Sequence, residues 1–229
     1  MKNIALITAA GKGTRLVGFG LPKQFIRING KPMLVYSLEA FNKCDLIDEI
    51  YIITSKEYIE EVKKLSHQYG INKLKDVVEG GQTRQQSVYH GLIAIKNHDG
   101  QDEDIVLIHD AARPLIDESI IKDNIQACLE FDAVETAIPA TDTIVKSSEG
   151  KIVDEIPNRE GFYQVQTPQT FRLKLILDAH KRFESLKIAT DDAQLVHNFG
   201  KSVHLVEGNK KNLKVTTIED LNIINALLK

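Results

Sequence analysis

Short apolar runs alternating with amphipathic stretches constrain this chain more than any other feature. Residues 4–8, "EIYIIT" (49–54), "DVVEGG" (76–81) and "DIVLIHD" (104–110) read as strands. Residues 33–41, "YIEEVKKLSHQYG" (58–70), "RQQSVYHGLIAI" (84–95) and "IIKDNIQACLEF" (120–131) read as helices. That rhythm predicts parallel strands with crossover helices on both faces, and runs apolar on both sides suit interior strands. The expected class is α/β, Rossmann-like and three-layered, with a mostly parallel twisted sheet. The rhythm breaks after Ala133, where two β-rich runs flank the turn "SSEG" (147–150) and read as a hairpin projecting from the body at about 137–162. Regular structure resumes with helices at 173–183 and 191–200, a strand at 202–208, and a final helix at 216–228 opened by a capping box of Thr216 and Glu219.

A length of 229 residues fits one domain with such an elaboration. The net charge of −3 gives no basic face for nucleic acid. No apolar run approaches the roughly twenty residues of a membrane span, and the N-terminus enters a strand pattern directly, so neither membrane span nor signal peptide is expected. Cys44 and Cys128 lie far apart in helical contexts, as buried free thiols do in a reducing cytoplasm.

The stretch "ALITAAGKGTRLVGFGLPKQF" (5–25) is a glycine-bearing turn after a strand. A Walker A register puts Leu6 and Gly13 where glycine and a hydroxyl are required, and a Rossmann register puts Leu16 at the third glycine. The second strand tip, Thr54 and Ser55, lacks the acidic ribose ligand, which argues against a nicotinamide dehydrogenase. What remains is A-A-G-x-G-T-R, with Lys23 eight positions beyond Arg15. Ala9, Ala10, Gly11 and Gly13 allow close backbone approach to a ligand, and two cations over one turn suit a triphosphate. A structural turn with solvated charges is the plainer alternative.

"AAGKGTR…LPKQF", "EGGQTRQQSVYHGL", "HDAARP", "QTPQTF", "TDDA" and "NLKVTTIEDL" follow in order. Together they resemble the 2-C-methyl-D-erythritol 4-phosphate cytidylyltransferase family and its relatives, the ribitol 5-phosphate cytidylyltransferases. The resemblance implies a nucleotidyltransferase fold and a CTP-dependent reaction in which a polyol phosphate attacks the α-phosphorus and pyrophosphate leaves. The attacking phosphate is already an anion, so no general base is needed; positioning and cationic stabilisation carry the chemistry. By resemblance Arg15 and Lys23 clamp the triphosphate with the loop amides, and Lys214 reaches the α-phosphate or incoming phosphate. From the residues alone a solvated lysine beside Thr216 and Thr217 is the plainer reading of Lys214. Asp110, at a strand's carboxyl end, suits Mg²⁺ or a simple N-cap; His109 beside it is assigned no role.

Gly80, Gly81, Arg84, Ser87 and Ala111 are expected at the nucleotide, although "GGQTRQQS" is also an ordinary helix start. Arg113, Thr141, Arg159, Thr167 and Thr190 are implied at the polyol phosphate, with Arg113 alternatively a loop anchor and Thr190 also a cap for a helix whose first turn holds Asp191 and Asp192. The four cationic and acidic residues Arg15, Lys23, Asp110 and Lys214 together argue against a non-catalytic nucleotide sensor. The resemblance implies a homodimer through the arm, with Arg159 serving its own or the partner's site. 2-C-methyl-D-erythritol 4-phosphate is the expected substrate, placing the chain in isoprenoid precursor synthesis; ribitol 5-phosphate, for a surface polymer, is the alternative.

Overall fold

A computed structural model describes residues 1–11, 21–183 and 191–228. In chain order the described residues form β1 (Asn3–Thr8), β2 (Arg27–Ile28), β3 (Lys31–Pro32), α1 (Met33–Lys43), β4 (Glu49–Thr54), α2 (Ile59–Gln68), β5 (Leu74–Glu79) and α3 (Arg84–Asn97). They continue with β6 (Ile105–Asp110), α4 (Glu118–Phe131), β7 (Ala133–Pro139), β8 (Tyr163–Arg172), α5 (Leu173–Arg182), α6 (Asp192–Asn198), β9 (His204–Glu207) and α7 (Ile218–Leu227).

The main sheet among the described residues has the order β5-β4-β1-β6-β8-β7-β9. Alternation within β1 divides the core. Ala5 and Ile7 face α1, α2 and α4; Ile4 and Leu6 face α3, α5 and α6. Helices therefore cover both faces, as the strand–helix rhythm requires. β1 pairs in parallel with β4 on one side and β6 on the other, so the strand order reverses beside β1. A crevice outside the carboxyl ends of β1 and β6 is the expected ligand position of such a sheet. A third cluster packs α7 (Leu221, Ile224) and Val215 against Ile26, Ile28 and Met33, drawing the C-terminal segment to that crevice.

Three features differ from the sequence reading. β8 has no counterpart in it: Thr, Gln and Pro168 argue against an interior strand. The structure accommodates the proline because pairing with β6 ends at Gln169 and pairing with β7 skips residues 166–168. β8 is also the one antiparallel strand of the described main sheet. The arm is shorter, since residues 137–139 belong to β7, and its two legs meet through one isolated bridge, Lys146 to Glu155. Serines hold its tip: Ser148 donates its amide and hydroxyl to Asp154. Finally, the box opening α7 is Thr217 and Asp220, because Asp220 also receives the amide and hydroxyl of Thr216.

Candidate active site

The crevice is a cleft of about 870 Å³ between the β1 loop, the β5–α3 loop, the end of β6 and the segment before α7. Both glycine-bearing loops hang from the end of β4: Ala9 N–H donates to the Ile53 carbonyl at 2.7 Å, and Gly80 N–H to the Thr54 carbonyl at 2.8 Å. A Cβ at Gly80 would lie 2.7 Å from Ala10 Cβ, and one at Gly81 2.5 Å from Gln86 Cβ. Gly80 thus lets the two loops approach one another, and Gly81 lets its own loop close against the first turn of α3. Thr83 caps α3 through the Gln86 amide, and Ser87 Oγ accepts from Gly81 N–H at 3.0 Å while donating to the Thr83 carbonyl at 2.8 Å. The Ser87 hydroxyl thus ties the Gly81 amide to the start of α3 at the cleft wall.

Asp110 closes β6 and is 7% exposed. Lys214 Nζ lies 2.6 Å from its Oδ2, Arg84 Nε 3.9 Å from Oδ1, and the Thr8 hydroxyl donates to Oδ1 at 3.1 Å. Burial alone would raise the carboxyl pKa, but Arg84 and Lys214, with a smaller contribution from Arg113, hold it well below the usual range, so Asp110 is an anion. Lys214 is fixed from both sides. Val215 N–H donates to the Ala112 carbonyl at 2.8 Å, and buried Asn212 donates to Gln166 Oε1 and the Thr167 carbonyl. Lys23 Nζ reaches the Val215 carbonyl at 3.2 Å, and its neighbour Gln24 ties "PKQF" to β1 by donating to the Ala9 carbonyl at 2.6 Å. Two lysines nearly two hundred positions apart thus line one cleft, Lys214 on the Asp110 carboxylate and Lys23 on the Val215 carbonyl.

Behind Asp110 runs a closed hydrogen-bond chain. Asp110 N–H donates to Thr167 Oγ1 at 3.1 Å, whose hydroxyl donates to His109 Nδ1 at 3.0 Å; His109 Nε2–H donates to the Arg113 carbonyl at 3.2 Å. Burial pushes the His109 pKa down to about 4, so the ring is neutral and structural.

Over residues 3–229 the chain matches the family model described as IspD, 2-C-methyl-D-erythritol 4-phosphate cytidylyltransferase. The chain belongs to this family. It is similar to the 2-C-methyl-D-erythritol 4-phosphate cytidylyltransferase of Clostridium botulinum, 42% identical over 230 residues that span 100% of this chain and 98% of that protein. A Clostridium perfringens relative of the same name is 43% identical, covering 100% and 99%. The crystal structure of 4-diphosphocytidyl-2C-methyl-D-erythritol synthase from Anaerococcus prevotii superposes with a TM-score of 0.86 at 34% identity, over 99% of this chain and 96% of that one.

On this cytidylyltransferase scaffold, Ala9, Ala10 and Gly11 line the cleft from the end of β1, with Lys23 beside them. Gly80, Gly81, Arg84 and Ser87 line it from the β5–α3 side; Asp110, Ala111 and Lys214 close it. Gly13, Arg15 and Thr190 lie outside the described residues. The N-cap of α6 is Asp191, with Asp192 as its first helical residue.

Four residues implied at the polyol phosphate are not among those lining the cleft. Thr167 is buried and holds Asp110 and His109. Arg113 is buried and donates to the Asn212 and Val165 carbonyls at 2.7 and 3.2 Å, clasping the C-terminal segment to β8. Thr141 and Arg159 meet each other at the exposed base of the arm, Arg159 Nη1 donating to the Thr141 carbonyl at 2.7 Å, and neither lines the cleft. Conversely, the sequence reading assigns no site role to Gln24, Asn212 or the buried pair Asp192 and His180. Gln24, Asn212 and Asp192 fall within "PKQF", "NLKVTTIEDL" and "TDDA"; for His180 the only signal is a polar residue whose burial the sequence does not reveal.

Proposed function

We propose that this chain transfers the cytidylyl group of CTP to 2-C-methyl-D-erythritol 4-phosphate, giving 4-CDP-2-C-methyl-D-erythritol and pyrophosphate on the non-mevalonate route to isoprenoids. The observation that carries it is the Lys214–Asp110 pair at 2.6 Å, closing a glycine-walled cleft on a chain matched to this family end to end. A substrate phosphate oxygen forms the new bond to the α-phosphorus as the α–β bridging bond breaks. Lys23 and Lys214 face the charge that develops, with Arg15 expected to join them. No proton needs to be removed from the nucleophile.

Mg²⁺ fits Asp110. Its carboxylate is ionised and at the cleft wall, and among the described residues no three His, Cys, Asp or Glu side chains gather as a metal cage. Mg²⁺ commonly takes one or two carboxylates and completes its shell with phosphate oxygens and water. Bound there, it would neutralise triphosphate charge. Cytoplasmic residence is supported by the two buried free cysteines, and no helix among the described residues is long and apolar enough to cross a membrane.

The arm's exposed Val145, Ile152, Val153 and Ile156 support a homodimer in which twin arms bury each other. Arg159 and Thr141, away from their own cleft, would then serve the partner's. The test of the activity is ³¹P NMR of the protein with CTP, Mg²⁺ and 2-C-methyl-D-erythritol 4-phosphate. Paired diphosphate resonances of a CDP-polyol with equimolar pyrophosphate are expected; CMP or orthophosphate as the sole product would refute it.

A further inference from the structure

Arg84 stands at the first position of α3, where a helix dipole disfavours a cation. Two carboxylates offset this. One is Asp110 in the cleft. The other, Asp192, lies behind the cleft wall, 1% exposed and absent from the cleft lining. Its Oδ2 lies 2.7 Å from Arg84 Nη2, and its Oδ1 accepts from His180 Nε2 at 3.1 Å. His180 is also 1% exposed, and its ring stacks on Tyr89 of α3. The Asp192 amide donates to Gln169 Oε1 at 3.1 Å, and Gln169 Nε2 in turn donates to Glu135. α3, α5, α6, β7 and β8 thus converge on one buried carboxylate whose ligand-facing partner is Arg84.

We propose that Asp192, set by His180 and Gln169, is a positioning residue that aims Arg84 at the nucleotide. The geometry supplies the reason. Arg84 Nε sits 3.9 Å from Asp110, outside hydrogen-bond range, because the other end of the guanidinium is held by Asp192. Without Asp192 the guanidinium would close onto Asp110, the nearest remaining anion. That would withdraw its donors from the triphosphate or ribose and neutralise the carboxylate that Lys214 already shares. An arginine offers five N–H donors in a rigid fork, so anchoring one edge fixes where the others point.

This inference rests on the cleft being the CTP site, so the test reads CTP binding alone. Calorimetric titration of CTP into Asp192→Asn should show affinity about 10- to 100-fold weaker, with KM for the polyol phosphate much less affected. In an Arg84→Met background the same substitution should add nothing, because its route to the ligand is gone. If Asp192→Asn does not fold, His180 gives a second pair of variants. His180→Phe keeps the packing but removes the donor and should weaken CTP about tenfold, whereas His180→Gln restores an N–H and should bind nearly as the unaltered protein does. Additive losses in the Arg84→Met background, or equal behaviour of His180→Phe and His180→Gln, would overturn the positioning role. An unaltered protein that does not bind CTP would overturn the CTP reading and this inference together; a protein that binds CTP but rejects the polyol phosphate would leave this inference standing.

Discussion

Adding one methyl group at Gly80 should cripple nucleotide binding while leaving the fold in place. The backbone at Gly80 is not in the left-handed region, so Gly80→Ala acts through contact alone. The new Cβ would stand 2.7 Å from Ala10 Cβ and 3.0 Å from Ser87 Oγ. Carbon atoms rest at about 3.5–4.0 Å, so one loop must retreat by about 1 Å. Both loops are pinned to adjacent residues of β4, and both line the cleft, so either retreat changes the shape presented to CTP. Overpacking of this kind costs about 1–3 kcal/mol of stability, and a 1 Å misplacement costs up to about 100-fold in activity. The assay is CTP titration beside a thermal melt, with Gly80→Ala/Ala10→Gly as the control that removes the closer contact. Weakened CTP binding, partly restored in the double variant, is expected. CTP affinity unchanged in Gly80→Ala would show that the loop–loop contact does not set the cleft.

Asp110→Asn should lower turnover about 10²- to 10³-fold in steady-state assays, with circular dichroism unchanged, because it leaves the Lys214 and Arg84 charges uncompensated while preserving side-chain shape. Glu135 is pushed up to about 7, first by burial and then by the charges of Asp191 and, less, Asp192, against an ordinary 4.5. The folded protein therefore holds this proton more tightly than the unfolded chain; stability falls as pH rises from about 4.5 to 7 and stays lowered above that. Glu135→Gln, which keeps an acceptor for Gln169, should stabilise at pH 8 by about 1–2 kcal/mol after allowance for partial exposure and be neutral near pH 4.5, as read by urea melts. Sedimentation at micromolar concentration should give a dimer, and a chain shortened through residues 146–151 should lose both dimer and activity; a fully active monomer would refute the arm's role.

The α/β architecture was legible because β1, β4 and β6 are apolar on both faces and their helices carry ordinary stop signals, such as Gly70 after α2 with φ 65. The cleft was legible because "AAG", "GG" and "HD" each fall at a strand's carboxyl end. Three things were not. β8 hides behind Pro168, which is accommodated because pairing with β6 ends at Gln169 and pairing with β7 shifts register between Glu135 and Ala137. Thr167 and Arg113 match a site pattern by position, and the sequence does not show the internal carbonyl, amide and ring partners that each also meets from elements distant in sequence. Asp192 reads as a helix-terminal acid favoured by the dipole, and only the approach of α3 to α6 turns it toward Arg84.

The cleft is read as joining CTP to a methyl-branched polyol phosphate. The most direct test is continuous pyrophosphate release by the unaltered protein with CTP and Mg²⁺, run in parallel with 2-C-methyl-D-erythritol 4-phosphate and ribitol 5-phosphate. A pocket that distinguishes one methyl or hydroxyl separates such substrates by about 10- to 200-fold. That margin in kcat/KM is expected in favour of 2-C-methyl-D-erythritol 4-phosphate. Equal values, or a higher value for ribitol 5-phosphate, would contradict it.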